Sequence, residues 1–244
     1  MLGTYSLGNV FRIRVGLHVS WIAVFLFVTW GIASSLSALR MPLALLLAAA
    51  CALLLFTSVV VHEFAHALVA RRFGVQTQGI TLFIFGGVAT LENEPPTPRA
   101  ELAIALAGPL QSGLLAALCY GITLLFDKYG VGPFASSMNL AFAYVAVANA
   151  VLAIFNLVPA FPMDGGRVLR ALFWMRTRDQ RAATIGAALV GVTLALCSSI
   201  ACLVMLGSTH SWPYAWYAIL AGFIAWSGWT HLRAARQTAN LALN

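Results

Sequence analysis

The sequence predicts an all-α polytopic membrane protein of about six transmembrane helices, with a short membrane-associated β-hairpin after the second. Three observations carry this expectation. Of 244 residues, 61% are hydrophobic and 9% charged, whereas a soluble domain carries about 25% charged residues. The apolar residues gather in runs near 17–36, 43–70, 100–126, 138–159, 183–206 and 213–231, and a bilayer is crossed by about 20 such residues. Between the second and third runs, at residues 78–90, two β-prone stretches flank the pair Gly86-Gly87, which is a hairpin signal.

Taken in order, the first run follows Arg12 and Arg14 and faintly resembles a signal peptide. It lacks a small-residue cleavage site and is long enough to stay as a helix. Pro42 suits the start of the second helix, where its missing amide donor costs little. The hairpin is unusually apolar, so it is expected to dip into the membrane with its backbone satisfied by surrounding protein. It reads equally as an edge strand for an extended peptide and as an apolar plug. Gly108-Pro109 kinks the third run, and the small residues Ser112 and Gly113 favour close helix packing. Gly130, Gly132 and Pro133 mark a connection. Asn149 and Asn156 interrupt the fourth run, and residues 234–244 read as a short surface tail. So many spans leave little room for anything else, and residues 1–244 are expected to form a single membrane domain.

The net charge is +7. The basic residues lie beside the apolar runs, which fits anionic lipid headgroups and excludes nucleic acid as the expected partner. Six spans put both termini on one side. Arg12, Arg14, Arg71, Arg72, Arg99, Arg167, Arg170, Arg176, Arg178, Arg181, Arg233 and Arg236 fall there, against Arg40 and Lys128 opposite. Basic residues mark the inner face, so both termini are expected in the cytoplasm. The tryptophans and tyrosines between Trp212 and Trp229 read as interfacial anchors. Cys51, Cys119, Cys197 and Cys202 sit in apolar runs without zinc-ribbon spacing, so they read as reduced core or lipid-facing residues.

The strongest chemical signal is His62-Glu63-Phe64-Ala65-His66. Residues four apart share a helix face, so both imidazoles can reach one ion, and Glu63 can reach a water on that ion. Zinc lowers the pKa of such a water toward about 7. Ionisable groups within a membrane run cost roughly 3 kcal/mol each and are functional by default.

A catalytic zinc site needs a third protein ligand and one open position. Among the seven acids, Glu92, Glu94 and Glu101 lie in or beside the loop after the hairpin, and Asp127 and Asp179 lie in polar connections. Asp164 differs, because it follows an apolar run within residues 156–167, where Pro159 and Pro162 break the helix and Gly165-Gly166 permits a tight turn. Asp164 reads as the third ligand, or else as the cap of the helix that follows. The amide of Asn156, eight residues earlier, can donate to a developing oxyanion or to a neighbouring helix. His18 reads as an interfacial polar residue or an outer partner of the site.

The HExxH helix, the stretch Phe85-Gly86-Gly87-Val88-Ala89 and residues 156–167 resemble the site-2 protease family of intramembrane zinc metalloproteases. The likeness is to the prokaryotic branch, with the sporulation factor protease and archaeal homologues, and runs from His18 to about Arg170. It implies one Zn2+ held by His62, His66 and Asp164, with Glu63 as general base and Asn156 near the substrate carbonyl. It implies cleavage of peptide bonds within or near transmembrane segments of other proteins, so the expected partners are transmembrane substrates, the bilayer and, as one option, a second copy of the chain. Members of this branch carry nucleotide-sensing CBS pairs or PDZ inserts, and neither is expected here. A metal transporter would spread polar ligands along several helices, and an inactive scaffold would have lost a ligand or the base. The sequence shows neither pattern.

Overall fold

The HExxH motif lies on an apolar helix of 32 residues, and the computed structural model shows what surrounds it. The structure describes residues 3–36, 39–83 and 86–241. Its elements are β1 (Thr4–Val10), β2 (Ile13–His18), α1 (Ser20–Ser35), α2 (Met41–Arg72), β3 (Thr77–Phe83), β4 (Gly86–Leu91), α3 (Pro98–Tyr129), α4 (Gly132–Asn156), α5 (Asp164–Thr177), α6 (Gln180–Thr209) and α7 (Pro213–Leu241). They form two compact units, Met1–Pro95 with Ala107–Ile154, and Pro96–Leu106 with Phe155–Asn244.

In the first unit, α2 starts with Pro42 in its first turn and ends on Arg71 and Arg72, which complement the negative end of the helix dipole. Its buried residues include Ala44, Ala48, Cys51, Ser58, His62, His66 and Ala70. They recur at three, four or seven residues, so one face made narrow by small side chains also carries both histidines. Ile32, Ala33 and Leu36 of α1 pack with Ala44, Ala48 and Cys51 of α2 and Ala141 of α4. Nearer the other end of α2, Ile13 and Val15 of β2 and Ile80 of β3 cover Phe64 and Ala67. A sheet therefore sits on the helical turn that holds the metal motif.

That sheet has the order β1-β2-β3-β4. The expected hairpin is present, with β3 antiparallel to β4. Its Gly-Gly pair is not the turn, however. Gly86 and Gly87 are the first residues of β4, paired with Phe83 and Leu82, and Ile84 and Phe85 lie outside the described residues. A second hairpin, β1 with β2, joins the first through parallel pairing of β2 with β3.

The second unit holds α5, α6 and α7 with the turn at residues 157–163. Ala160 packs with Ala195 of α6 and Ile224 and Ala225 of α7. Phe161 packs with Ala187 and Ala188 of α6 and Leu232 of α7. Gly191 admits this turn, since a Cβ there would lie 2.7 Å from Ala160 Cα. Asp179 caps α6 through Oδ1, which accepts the N–H groups of Arg181 and Ala182 at 2.8 and 3.2 Å.

Among the described residues, four helices (α2, α3, α4 and α6) are long and apolar enough to cross a membrane. The structure thus places a helix in each of the six expected runs but gives span character to four of them. At 16 residues, α1 reaches only about 24 Å at 1.5 Å per residue. Large apolar side chains such as Trp30, Leu46, Ile154 and Trp226 are exposed, as a lipid-facing surface requires. The helix expected after Asp164 is α5. One expectation changes: the tail from Ala234 continues α7 to Leu241, being rich in good helix formers. Residues 242–244 lie outside the described residues. The cysteines are free, with Cys51 and Cys119 buried and Cys197 exposed.

Candidate metal centre

His62 and His66, one helical turn apart, are 3% and 5% exposed. Their Nε2 atoms stand 3.2 Å apart. Two nitrogens each bound at about 2.05 Å to one tetrahedral ion would stand about 3.3 Å apart, so the pair already has the spacing of two metal ligands. Helix α3 completes this half. His62 Nδ1 lies 2.9 Å from the fully buried Oγ of Ser112. In the tautomer that leaves Nε2 free for a metal, Nδ1–H donates to that oxygen, which fixes the ring. Gly108, one turn before Ser112, faces both imidazoles. A Cβ there would lie 2.2 Å from His66 Nε2 and 2.5 Å from His62 Nε2. Only a residue without a side chain lets α3 pass the histidines, and the space it leaves lies beside both Nε2 atoms.

Glu63 is half-buried. A Cβ on Gly87 would lie 2.5 Å from Glu63 Cγ and 3.2 Å from its Oε1. The backbone of β4 therefore rests directly against the carboxylate, and Gly87 is needed for that close approach.

In the second unit, Asp164 and Asn156 flank the turn at residues 157–163. Asn156 is the last residue of α4. Asp164 is the first residue of α5; the N-cap is Met163, without a side-chain cap hydrogen bond. Asp164 thus stands in the first turn of α5. The two glycines that follow are pressed onto the turn before them. A Cβ on Gly165 would lie 2.3 Å from the Leu157 and Val158 carbonyl oxygens, and one on Gly166 would lie 2.8 Å from Ala160 C. Further along α5, Arg170 Nε donates to Glu101 Oε1 at 2.6 Å, and Arg170 Nη2 pairs with the same oxygen. Glu101 is fully buried.

The sequence singled out His62, Glu63 and His66, and the structure brings them together with Gly87, Gly108 and Ser112. The roles of the last three were not foreseen. Gly108 and Ser112 are four apart, hence on one helix face, which was the signal available. His18 acts locally at the start of α1, where its Nδ1 accepts from the N–H of Ser20 at 3.2 Å and lies 2.9 Å from Ser20 Oγ.

The family model of peptidase family M50 matches residues 50–137 and 131–200. The chain is 36% identical over 242 residues to the putative zinc metalloprotease Rip3 of Mycobacterium tuberculosis, covering 97% of this chain and 59% of that protein. It is 28% identical over 154 residues to stage IV sporulation protein FB of Bacillus subtilis, covering 63% of this chain and 49% of that protein. The chain thus spans roughly half to three fifths of these relatives. Among solved structures it is similar to the site-2 protease from Methanocaldococcus jannaschii, with a TM-score of 0.59, 29% identity, and coverage of 94% of this chain and 95% of that one. A matched HExxH helix, a matched turn before α5 and the shared fold lead to one assignment: the chain belongs to peptidase family M50, the site-2 proteases.

Proposed function

We propose that the chain is an integral membrane zinc metalloprotease that hydrolyses peptide bonds within or near transmembrane segments of other proteins. The observation that carries this reading is the buried His62–His66 pair, with its Nε2 atoms 3.2 Å apart over the bare backbone of Gly108. Asp164, at the start of α5, is the proposed third ligand beside His62 and His66. Two imidazoles and one carboxylate are a donor set suited to catalytic zinc.

Bound zinc would supply Lewis acidity toward the scissile carbonyl and lower the pKa of a water toward about 7. The chain's own residues do the rest. Glu63 accepts the proton of the attacking water and delivers it to the leaving amine nitrogen. Ser112 holds the His62 ring in one tautomer. Asn156 donates its amide N–H to the carbonyl oxygen as negative charge develops there. The substrate helix unwinds locally, because a helical amide is shielded by its own turn, and β4, the last strand of the sheet, offers the extended segment a pairing edge. In this reading α1 and α7 also cross the bilayer, the β3–β4 hairpin enters it, and both termini lie in the cytoplasm, as the basic residues dictate.

The test compares wild type with Glu63→Gln on a panel of single-span membrane proteins in detergent, measuring new termini and bound zinc. Gln keeps the shape of Glu but cannot take the proton. The variant is expected to retain zinc and to cleave at least about 10²-fold more slowly. Equal cleavage by both forms removes Glu63 from the mechanism, and zinc flux in proteoliposomes without cleavage replaces proteolysis by transport.

A further inference from the structure

The β1–β2 turn contains an unusual piece of backbone. Phe11 and Arg12 both have positive φ, 52° and 68°. A two-residue hairpin turn of this kind favours Asn-Gly, and a bulky aromatic residue there is an outlier. Strain of this sort persists where the surroundings hold it and is a pointer to function. Here Arg71 holds it, its Nη1 donating to the Phe11 carbonyl at 3.3 Å. The outcome is a pocket of about 260 Å³ beside the end of α2, lined by Phe11, Arg12, Arg71, Gly74, Gln76 and Thr77.

The pocket is cationic. Arg12 and Arg71 line it, and Arg14 and Arg72 are their exposed neighbours in the chain. Among the described residues the acid Glu92 comes near, its backbone N–H donating to the Gln76 carbonyl at 2.9 Å. Beside the arginines, Val10 and Phe11 are 46% and 63% exposed, and Leu7 and Tyr5, farther up β1 from the turn, are exposed as well. Arg71 and Arg72 end a helix able to cross a membrane, which places this pocket at headgroup level in the membrane reading above. Guanidinium groups beside exposed aromatic and aliphatic side chains match a headgroup phosphate above its acyl chains. A soluble anion would have no use for the apolar flank.

We propose that the pocket between the β1–β2 turn and the end of α2 binds the phosphate of an anionic phospholipid, gripped by Arg12 and Arg71. This rests on the membrane reading of α2 but not on proteolysis, and its test reads lipid retention alone. The full chain, purified in neutral detergent, is titrated with phosphatidylglycerol, phosphatidylcholine or inorganic phosphate, and bound lipid is counted by native mass spectrometry. Wild type is expected to retain one phosphatidylglycerol in preference to phosphatidylcholine. Arg12→Gln with Arg71→Gln is expected to weaken retention at least about tenfold, while Arg176→Gln with Arg178→Gln leaves it unchanged. Arg12→Lys with Arg71→Lys keeps the charge but loses the planar fork, and is expected to bind more weakly than wild type. Equal retention by wild type and the double Gln variant overturns the site. Full retention by the double Lys variant reduces it to diffuse charge and also overturns it. Displacement of the lipid by inorganic phosphate at equal concentration overturns the lipid as occupant. Arg12→Gln alone, at an exposed turn, keeps the proposal testable should the double variants fail to fold.

Discussion

His62 Nδ1 and Ser112 Oγ are 2.9 Å apart in a fully buried contact, so a helix that supplies none of the expected ligands nevertheless orients one of them. Partners of this kind typically change metal affinity about 10–100-fold when removed. Ser112→Ala is expected to weaken zinc binding by about that factor with the helical content unchanged, as measured by competition with a chelator. Unchanged affinity would show that the ring is oriented by packing alone.

Gly87 and Glu63 give a second, separable prediction. Ala at position 87 would drive its Cβ into the Glu63 side chain, 2.5 Å from Cγ. The carboxylate must then move by about an ångström, a misplacement that costs on the order of 10²-fold in rate. Gly87→Ala is expected to lose cleavage to that extent while binding zinc as wild type does. Parallel loss of zinc would mean that β4 supports the histidines as well as the base.

The ion pair of Arg170 with Glu101 is a matter of stability. Glu101 is fully buried and the Arg170 side chain is 14% exposed. Removing one partner leaves an uncompensated buried charge, at about 3–5 kcal/mol. Arg170→Leu is therefore expected to lower the thermal unfolding midpoint in detergent sharply. Arg170→Leu combined with Glu101→Met, which removes both charges, is expected to recover most of the loss. A double variant no better than the single one would contradict this account.

These cases also show what could be read from the sequence. His62, Glu63 and His66 were legible because helical spacing alone puts the two histidines on one face, and the buried stripe of α2 bears that out. The break before Asp164 was legible from Pro159 and Pro162, and the glycines after it serve close approach to the preceding turn. The β1–β2 hairpin was hidden because its turn is Phe11-Arg12, without the glycine or asparagine that usually announces positive φ. The start of helix α5 was legible as the helix following Asp164, but its extent to Thr177 was not, because Arg167, Arg170 and Arg176 remove it from any search for apolar runs. Gly87 was seen but misread: its composition suggested a turn, whereas its role is set by Glu63, a side chain distant in the chain.

Two glycines of α3 give the sharpest test of the site. A Cβ on Gly108 would lie 2.2 Å from His66 Nε2 and 2.7 Å from His62 Cε1, while one on Gly113 would meet nothing within 4 Å. Both glycines sit inside the same helix, where replacing Gly by Ala favours the helix by about 1 kcal/mol. At position 113 that gain is unopposed, so Gly113→Ala is expected to raise stability slightly and leave zinc affinity and cleavage unchanged. At position 108 the added methyl group competes for the space where the two Nε2 atoms converge. The imidazoles can yield only by rotating away from each other, which breaks the Ser112 contact and the 3.2 Å spacing. Gly108→Ala is therefore expected to stay helical, as circular dichroism would show, yet to hold little zinc after dialysis against a weak chelator. Wild-type zinc affinity in Gly108→Ala would mean that the space beside the histidines is not where the metal binds.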